Sequence, residues 1–335
     1  MFGFVSVAMI SVALTDGPIW LHMILLGWLA AYCVARGMAN DGTQLISNVG
    51  LFLAVWSIVE FATGFHPFSD IAASGNWGAI QIRGTWERSE ASLGHAIALG
   101  GVVAGSIPFA LNRQRFKYLY VVVMLAGVVS TLSRGPIAAA LIALVVWTVT
   151  NNRTRSKLLT LLLALVSAVA AFTLFQEVAS SGDVEELGRS AGARSIQLEE
   201  TFGLIEPFGT VASSQTSQAF GTQVFGSIAV IDSFPLFLGL YVGAVPTVLF
   251  IFLLAAVTWG VFRTNSAASV SIVAAFPIML VTSPITQWQF FLFFIIGLAV
   301  RGPDSQVETI EYESSSSLGG SEVTKSRRSR VGRRY

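Results

Sequence analysis

Residues that carry chemistry are scarce in this chain, which has one cysteine, three histidines and a charged fraction of 12% over 335 residues. Soluble proteins carry roughly 25% charged residues, and a soluble core has no room for a chain that is 53% apolar. The lone Cys33 falls within an apolar run, which leaves no disulfide framework or cysteine metal site and predicts a core filler. No phosphate-cradling P-loop, dinucleotide glycine fingerprint or internal repeat is present, which argues against ATP-driven transport. Residues 1–15 have neither a basic lead nor a small-residue cleavage site, so they do not read as a removable signal peptide.

What the chain does have is apolar runs of about 15 to 25 residues, enough to cross a hydrocarbon layer of roughly 30 Å as helices. They predict about ten spans, at 2–15, 18–35, 45–63, 91–111, 118–133, 135–150, 158–175, 235–262, 267–283 and 285–300. A β-barrel would need alternating segments of roughly ten residues, and these runs are apolar on every face. The expected fold is therefore all-α, a polytopic transmembrane bundle over residues 1–301.

Net charge is only +1 and calls for no nucleic-acid partner, but basic residues gather on cytoplasmic segments of membrane proteins. With both termini inside, the inner segments hold Arg36, Arg113, Arg115, Lys117, Arg153, Arg155, Lys157, Arg263, Arg301 and the basic tail. The outer segments hold Arg83, Arg88, Arg134, Arg189 and Arg194, all arginine. Two outer loops are long, 64–90 and 176–234, and residues 183–206 of the second predict short amphipathic helices on the membrane. Residues 302–335, acidic and Ser-rich and then basic, predict a disordered cytoplasmic tail near anionic headgroups.

Four outer constellations carry the candidate chemistry. In the first, Arg83, Arg88, Glu90 and His95 crowd the entry to the fourth span; it is either an interfacial cap with Arg88 and Glu90 paired, or a binding site. The second, Thr131-Leu-Ser133-Arg134-Gly-Pro136, puts an arginine in a short turn between apolar spans, where it needs an anionic partner. That partner is a loop carboxylate such as Asp232 or Glu206, or a phosphate-bearing ligand. Arg194, in Gly192-Ala-Arg194-Ser-Ile-Gln-Leu198, marks a solvated helix face or a ligand contact. Asp232, beside Ser233 at the mouth of the eighth span, is a helix cap or a catalytic base. Glu60, near the end of the third span, reads as a hydrogen-bonded structural carboxylate ahead of a functional one.

In this order and on one face, these segments resemble the O-antigen ligase and polymerase family of bacterial envelope enzymes, over roughly residues 45–300. Ser92-Leu-Gly94-His95-Ala-Ile-Ala-Leu-Gly100 looks like the family's Gly-His entry into a span. Thr131 to Gly135 looks like its Thr-x-Ser-Arg-Gly turn, and Arg194-x3-Leu198 matches its Arg-x3-Leu motif. The ligase branch has a His, a polar residue, nine residues and a Gly; here Asp232-Ser233 and Gly243 keep the spacing with Asp in place of His. Gly243-Ala-Val-Pro246 also departs from the family's Gly-x-x-Gly, and the polymerase branch is the better match. Ten spans is few for such proteins, so one or more spans are expected ahead of Met1.

The resemblance implies glycosyl transfer at the extracytoplasmic face of the bacterial plasma membrane, from a polyprenyl-pyrophosphate-linked oligosaccharide to a sugar hydroxyl, with no metal or cofactor. Negative charge grows on the departing pyrophosphate, and preorganised donors stabilise it. Guanidinium grips two phosphate oxygens and stays ionised at low dielectric, where lysine loses its charge. Arg134 and Arg194 are expected on the pyrophosphate, with Arg88 or Arg83 orienting lipid or sugar. Asp232 leads as the base that deprotonates the acceptor hydroxyl, followed by His95, with Glu90 behind them. Ligase-type transfer to a lipid or other acceptor is one alternative, and export or flipping of lipid-linked or anionic solutes another. Partners are the glycan donor and acceptor, membrane lipids and other envelope-assembly proteins.

Overall fold

The computed structural model describes residues 1–15, 17–38, 41–68, 82–83, 86–113, 115–150, 161–162, 165, 169, 199–209, 215–216, 223–224, 231, 233–264, 266–281 and 288–300. Residues Met1–Val300 form one compact unit. Nearly all of the span expected at 158–175, most of the loop at 176–234 and the whole tail at 302–335 lie outside the described residues.

The apolar runs fold as helices, the conformation that pairs backbone N–H and C=O groups within one segment when no water is at hand. They are α1 Phe2–Leu14, α2 Ile19–Gly37, α3 Asp41–Thr63, α4 Ala96–Leu111, α5 Lys117–Ser130, α6 Arg134–Thr150, α7 Phe234–Phe237, α8 Ala244–Thr264, α9 Ala267–Val281 and α10 Trp288–Ala299. Among the described residues three helices, α2, α3 and α8, are long and apolar enough to cross a membrane, and six shorter apolar helices accompany them. Two small antiparallel ladders depart from an all-helical plan, both within segments read as loops. β1 Ile82–Arg83 pairs with β2 Trp86–Glu87, and β3 Gln215–Thr216 with β4 Gln223–Val224.

Where the connection is short, as from α1 to α2, α2 to α3, α4 to α5, α5 to α6 and α8 to α9, the next helix runs back alongside the last. At one end, here the upper, α1 passes into α2, α3 finishes, α4 begins and α5 turns into α6. At the lower end Arg113 donates to Asn48 Oδ1 at 2.9 Å, and its guanidinium lies 4.5 Å from the Tyr120 ring centre. The core runs the length of the bundle and is dominated by large side chains such as Trp28, Trp288, Phe234, Phe237 and Phe293.

Two arrangements differ from the sequence expectation. The run at 235–262 is not one span. The rings of Phe234 and Phe250 lie 5.4 Å apart, whereas sixteen residues of straight helix would separate them by about 24 Å. The chain rises through α7 and a π-helical turn, Leu238–Val242, reverses at Gly243 and descends as α8. Gly243 has φ +106°, and a Cβ there would meet Gly209 N and Pro207 O at 2.5 Å, so no other residue fits. The Glu206 and Pro207 carbonyls accept from the Ala244 and Val245 amides at 2.9 and 3.1 Å. Ser11 Oγ closes the other side, donating to Val242 O and Phe208 O.

Cys33 is the second correction, since it is exposed and not core filler. Hydropathy is blind to this distinction, because the core and an apolar surround both accept a small thiol.

Candidate functional site

The upper ends of α3, α4, α5 and α6 are tied together through polar side chains that mostly bond to main chain. In the last turns of α3, Glu60 is 2% exposed, and its Oε1 accepts from Trp56 Nε1 at 2.9 Å. Its Oε2 accepts the backbone N–H of Glu90 at 3.0 Å and of Ala91 at 2.9 Å. One helical turn earlier Ser57 donates to Gly127 O at 3.0 Å, and its own carbonyl accepts from Ser89 Oγ at 2.7 Å. Residues 89–91 are thereby sewn onto α3, with Ala91 held at φ +47°. Such a left-handed backbone persists only where its surroundings over-determine it. Glu60 is the structural carboxylate that its sequence setting suggested.

From this fixed strip Arg88 reaches across to the turn between α5 and α6. Its Nε donates to Thr131 O at 3.1 Å, and an Nη donates to Ser133 Oγ. The turn is itself tightly wound, with Leu132 at φ +48° and Ser133 Oγ bonded to Thr131 O at 3.0 Å. Gly100 of α4 lets the turn settle onto the bundle, since a Cβ there would come within 2.6 Å of Pro136 Cβ. Arg134, exposed, is the first residue of α6 and follows Ser133 directly. Guanidinium groups from two distant segments are thus carried on one bonded unit.

His95 stands just ahead of α4 as its N-cap, with Nδ1 accepting from Ile97 N at 3.1 Å. Burial, and then the nearby Arg88 guanidinium, push its pKa down from 6.5 to about 4. The ring is therefore neutral at pH 7, and with Nδ1 committed to the cap its proton sits on Nε2. Such an imidazole donates a hydrogen bond well and is a poor general base near neutrality.

Of the expected site residues, Arg88, Glu90, His95 and Arg134 share this upper end, and Glu90 is buried there. Arg83 pairs in register with Trp86 across the β1–β2 ladder; its side chain lies outside the description. Arg194 and Asp232 lie outside the described residues. The neighbours of Asp232 sit deeper than expected: the Phe234 ring packs 5.5 Å from that of Trp28, midway along α2. Sequence reasoning also missed His66, buried with Nδ1 3.8 Å from Glu60 and Nε2 3.4 Å from Glu87. Among the described residues no three His, Cys, Asp or Glu side chains form a metal-binding group.

No protein-family model, curated protein or solved structure matches the chain. The functional reading rests on the residues themselves.

Proposed function

We propose that this chain is a membrane-embedded glycosyltransferase of about ten spans, with both termini cytoplasmic and its upper end on the extracytoplasmic face. It transfers an oligosaccharide from a polyprenyl-pyrophosphate donor to a sugar hydroxyl, in the manner of a polysaccharide polymerase. The observation that carries this reading is the bonded unit formed by Arg88 and the Thr131–Arg134 turn. Two permanently charged, planar donors are held at the bundle's end on a rigid frame, as stabilising a departing diphosphate requires. Arg194 and Arg83 would complete the cradle. Asp232 is the preferred base, because the cap bond and low basicity of His95 suit a donor instead; Glu90, buried beside the strip, stays behind it.

Purified protein in lipid, given a defined polyprenyl-pyrophosphate oligosaccharide and no nucleotide, should release lipid pyrophosphate and build long glycans. Arg134→Lys keeps the charge and, being exposed, the fold; it should slow turnover at least tenfold through loss of the bidentate grip. Turnover at the wild-type rate in Arg134→Ala would end the proposal. A single transfer to a lipid acceptor would instead indicate ligase chemistry.

Transport of a lipid-linked or anionic solute is the second reading. It is favoured by one feature, the break at Leu238–Gly243 where the chain reverses within the bundle, since transporters bind substrates at such interrupted helices. Uptake or flipping by proteoliposomes without any new glycosidic bond would select it.

A further inference from the structure

We infer that the turn between α4 and α5 is a docking surface for anionic phospholipid, at the end of the bundle opposite the arginine unit and independent of glycosyl transfer. Phe116 stands just ahead of α5 with φ +55° and ψ +15°. A bulky side chain seldom takes that left-handed conformation, and it persists only where the surroundings over-determine it. No packing inside the protein offsets it, because the ring is 72% exposed.

Apolar exposure continues beyond this ring. Leu119, Val122 and Ala126 are also exposed, and their spacing sets them along one face of α5. Val121, Met124, Leu125 and Val128 are buried on the other side. In a bundle that spans a membrane, lipid chains cover such a stripe, and Phe116 lies at its end, where chains give way to headgroups.

The charges around the ring have one sign. Arg115 and Lys117 flank it, Arg115 exposed and Lys117 with Nζ 5.0 Å from the Tyr118 ring centre. Among the described residues neither forms an ion pair with a carboxylate, and the chain has no Asp or Glu between Glu90 and Glu177. Arg113 is already engaged with Asn48 Oδ1 and the Tyr120 ring, which moors the turn to α3 and α5. Two cations astride an aromatic ring match a phosphodiester headgroup set above acyl chains. Free phosphate would meet the cations but leave the ring and the stripe uncovered, so the occupant is a lipid. The sign of the charge selects phosphatidylglycerol over phosphatidylcholine, whose choline offsets its phosphate.

The test equilibrates the purified full chain in detergent with phosphatidylglycerol or phosphatidylcholine of the same acyl chains and counts bound lipids by native mass spectrometry. Wild type should bind phosphatidylglycerol more tightly by roughly tenfold or more. The double variant Arg115→Gln/Lys117→Gln should lose most of that preference. Arg36→Gln, which removes an exposed cation from the last turn of α2 at the same end, should keep it. Phe116→Asn takes the left-handed backbone more readily; it should be at least as heat-stable as wild type, yet bind phosphatidylglycerol several-fold more weakly. Glycerol phosphate, the headgroup chemistry without chains, should not displace the lipid at equal concentration. Equal binding of the two lipids, an equal loss in Arg36→Gln and the double variant, full affinity in Phe116→Asn, or displacement by glycerol phosphate overturns the surface. None of these outcomes touches the Arg134→Lys assay, which reads the other end of the bundle.

Discussion

At the upper ends of α3 to α6, polar side chains spend their hydrogen bonds on main chain: Glu60 on two amides, Ser57 on a carbonyl, Arg88 on the Thr131 carbonyl. At the seam of α2 and α10 the polar groups are buried as deeply, yet Trp288 and Gln289 keep donors unspent. The first pattern fixes backbone and holds charges at set positions; the second leaves two buried N–H donors without a partner. Burial alone does not tell a polar group that fixes backbone from one that keeps bonding capacity, whereas the list of its partners does.

The sharpest way to break this contrast is to remove the carboxylate that organises the first region. Glu60→Ala strands the Glu90 and Ala91 amides and the Trp56 indole, at about 1–3 kcal/mol for each buried donor left unpaired. The expected loss is about 4 kcal/mol in reversible unfolding, together with release of residues 88–91 to hydrogen exchange. Glu60→Gln keeps one acceptor oxygen and should lose about half as much. Equal stability of Glu60→Ala and wild type would mean that the strip is held by something else.

Gly243→Ala comes next and probes the reversal that places Phe234 against Trp28. Its backbone conformation is nearly exclusive to glycine, and the new methyl would press on Gly209 and Pro207 backbone. About 3 kcal/mol of destabilisation is expected, with slower thermal recovery of near-ultraviolet signal from the aromatic seam. A neutral Gly243→Ala would mean that residues 234–262 run on as one helix.

Much of the bundle was legible in the sequence because helical apolar runs and their breaks are a one-dimensional signal. The Thr131-to-Pro136 turn and the crowding of Arg88, Glu90 and His95 were legible for the same reason: charged residues stand out against apolar ones. The reversal at Gly243 was not, since hydropathy over 234–262 stays high whether the chain continues or doubles back. Only the pairing of Gly243 with Pro246 hinted at a break. The partners of Glu60 were hidden in a different way, being backbone amides thirty residues on, which carry no letter of their own. Nothing in the sequence marked Trp28 and Gln289 as a pair, because they lie 261 residues apart and meet only in the fold.

The smallest effect expected concerns His95 and is a dependence on pH. Its pKa is about 4 in the fold against 6.5 in an unstructured chain, so between these values the unfolded state binds more protons. Stability is then greatest above pH 6.5, falls as pH drops towards 4 and levels off below, because the two states again carry equal protons. Asparagine is a good N-cap whose side chain does not titrate, so His95→Asn should hold α4 while flattening this slope. Melting temperatures of the two proteins should lie close together at pH 7.5 and part at pH 4.5, where the wild type falls below His95→Asn. If the wild type shows no greater loss than His95→Asn across that window, His95 is not desolvated beside Arg88 and regains its standing as a base. An acidic limb near 6.5 in the rate profile that vanishes in His95→Asn would say the same from the side of catalysis.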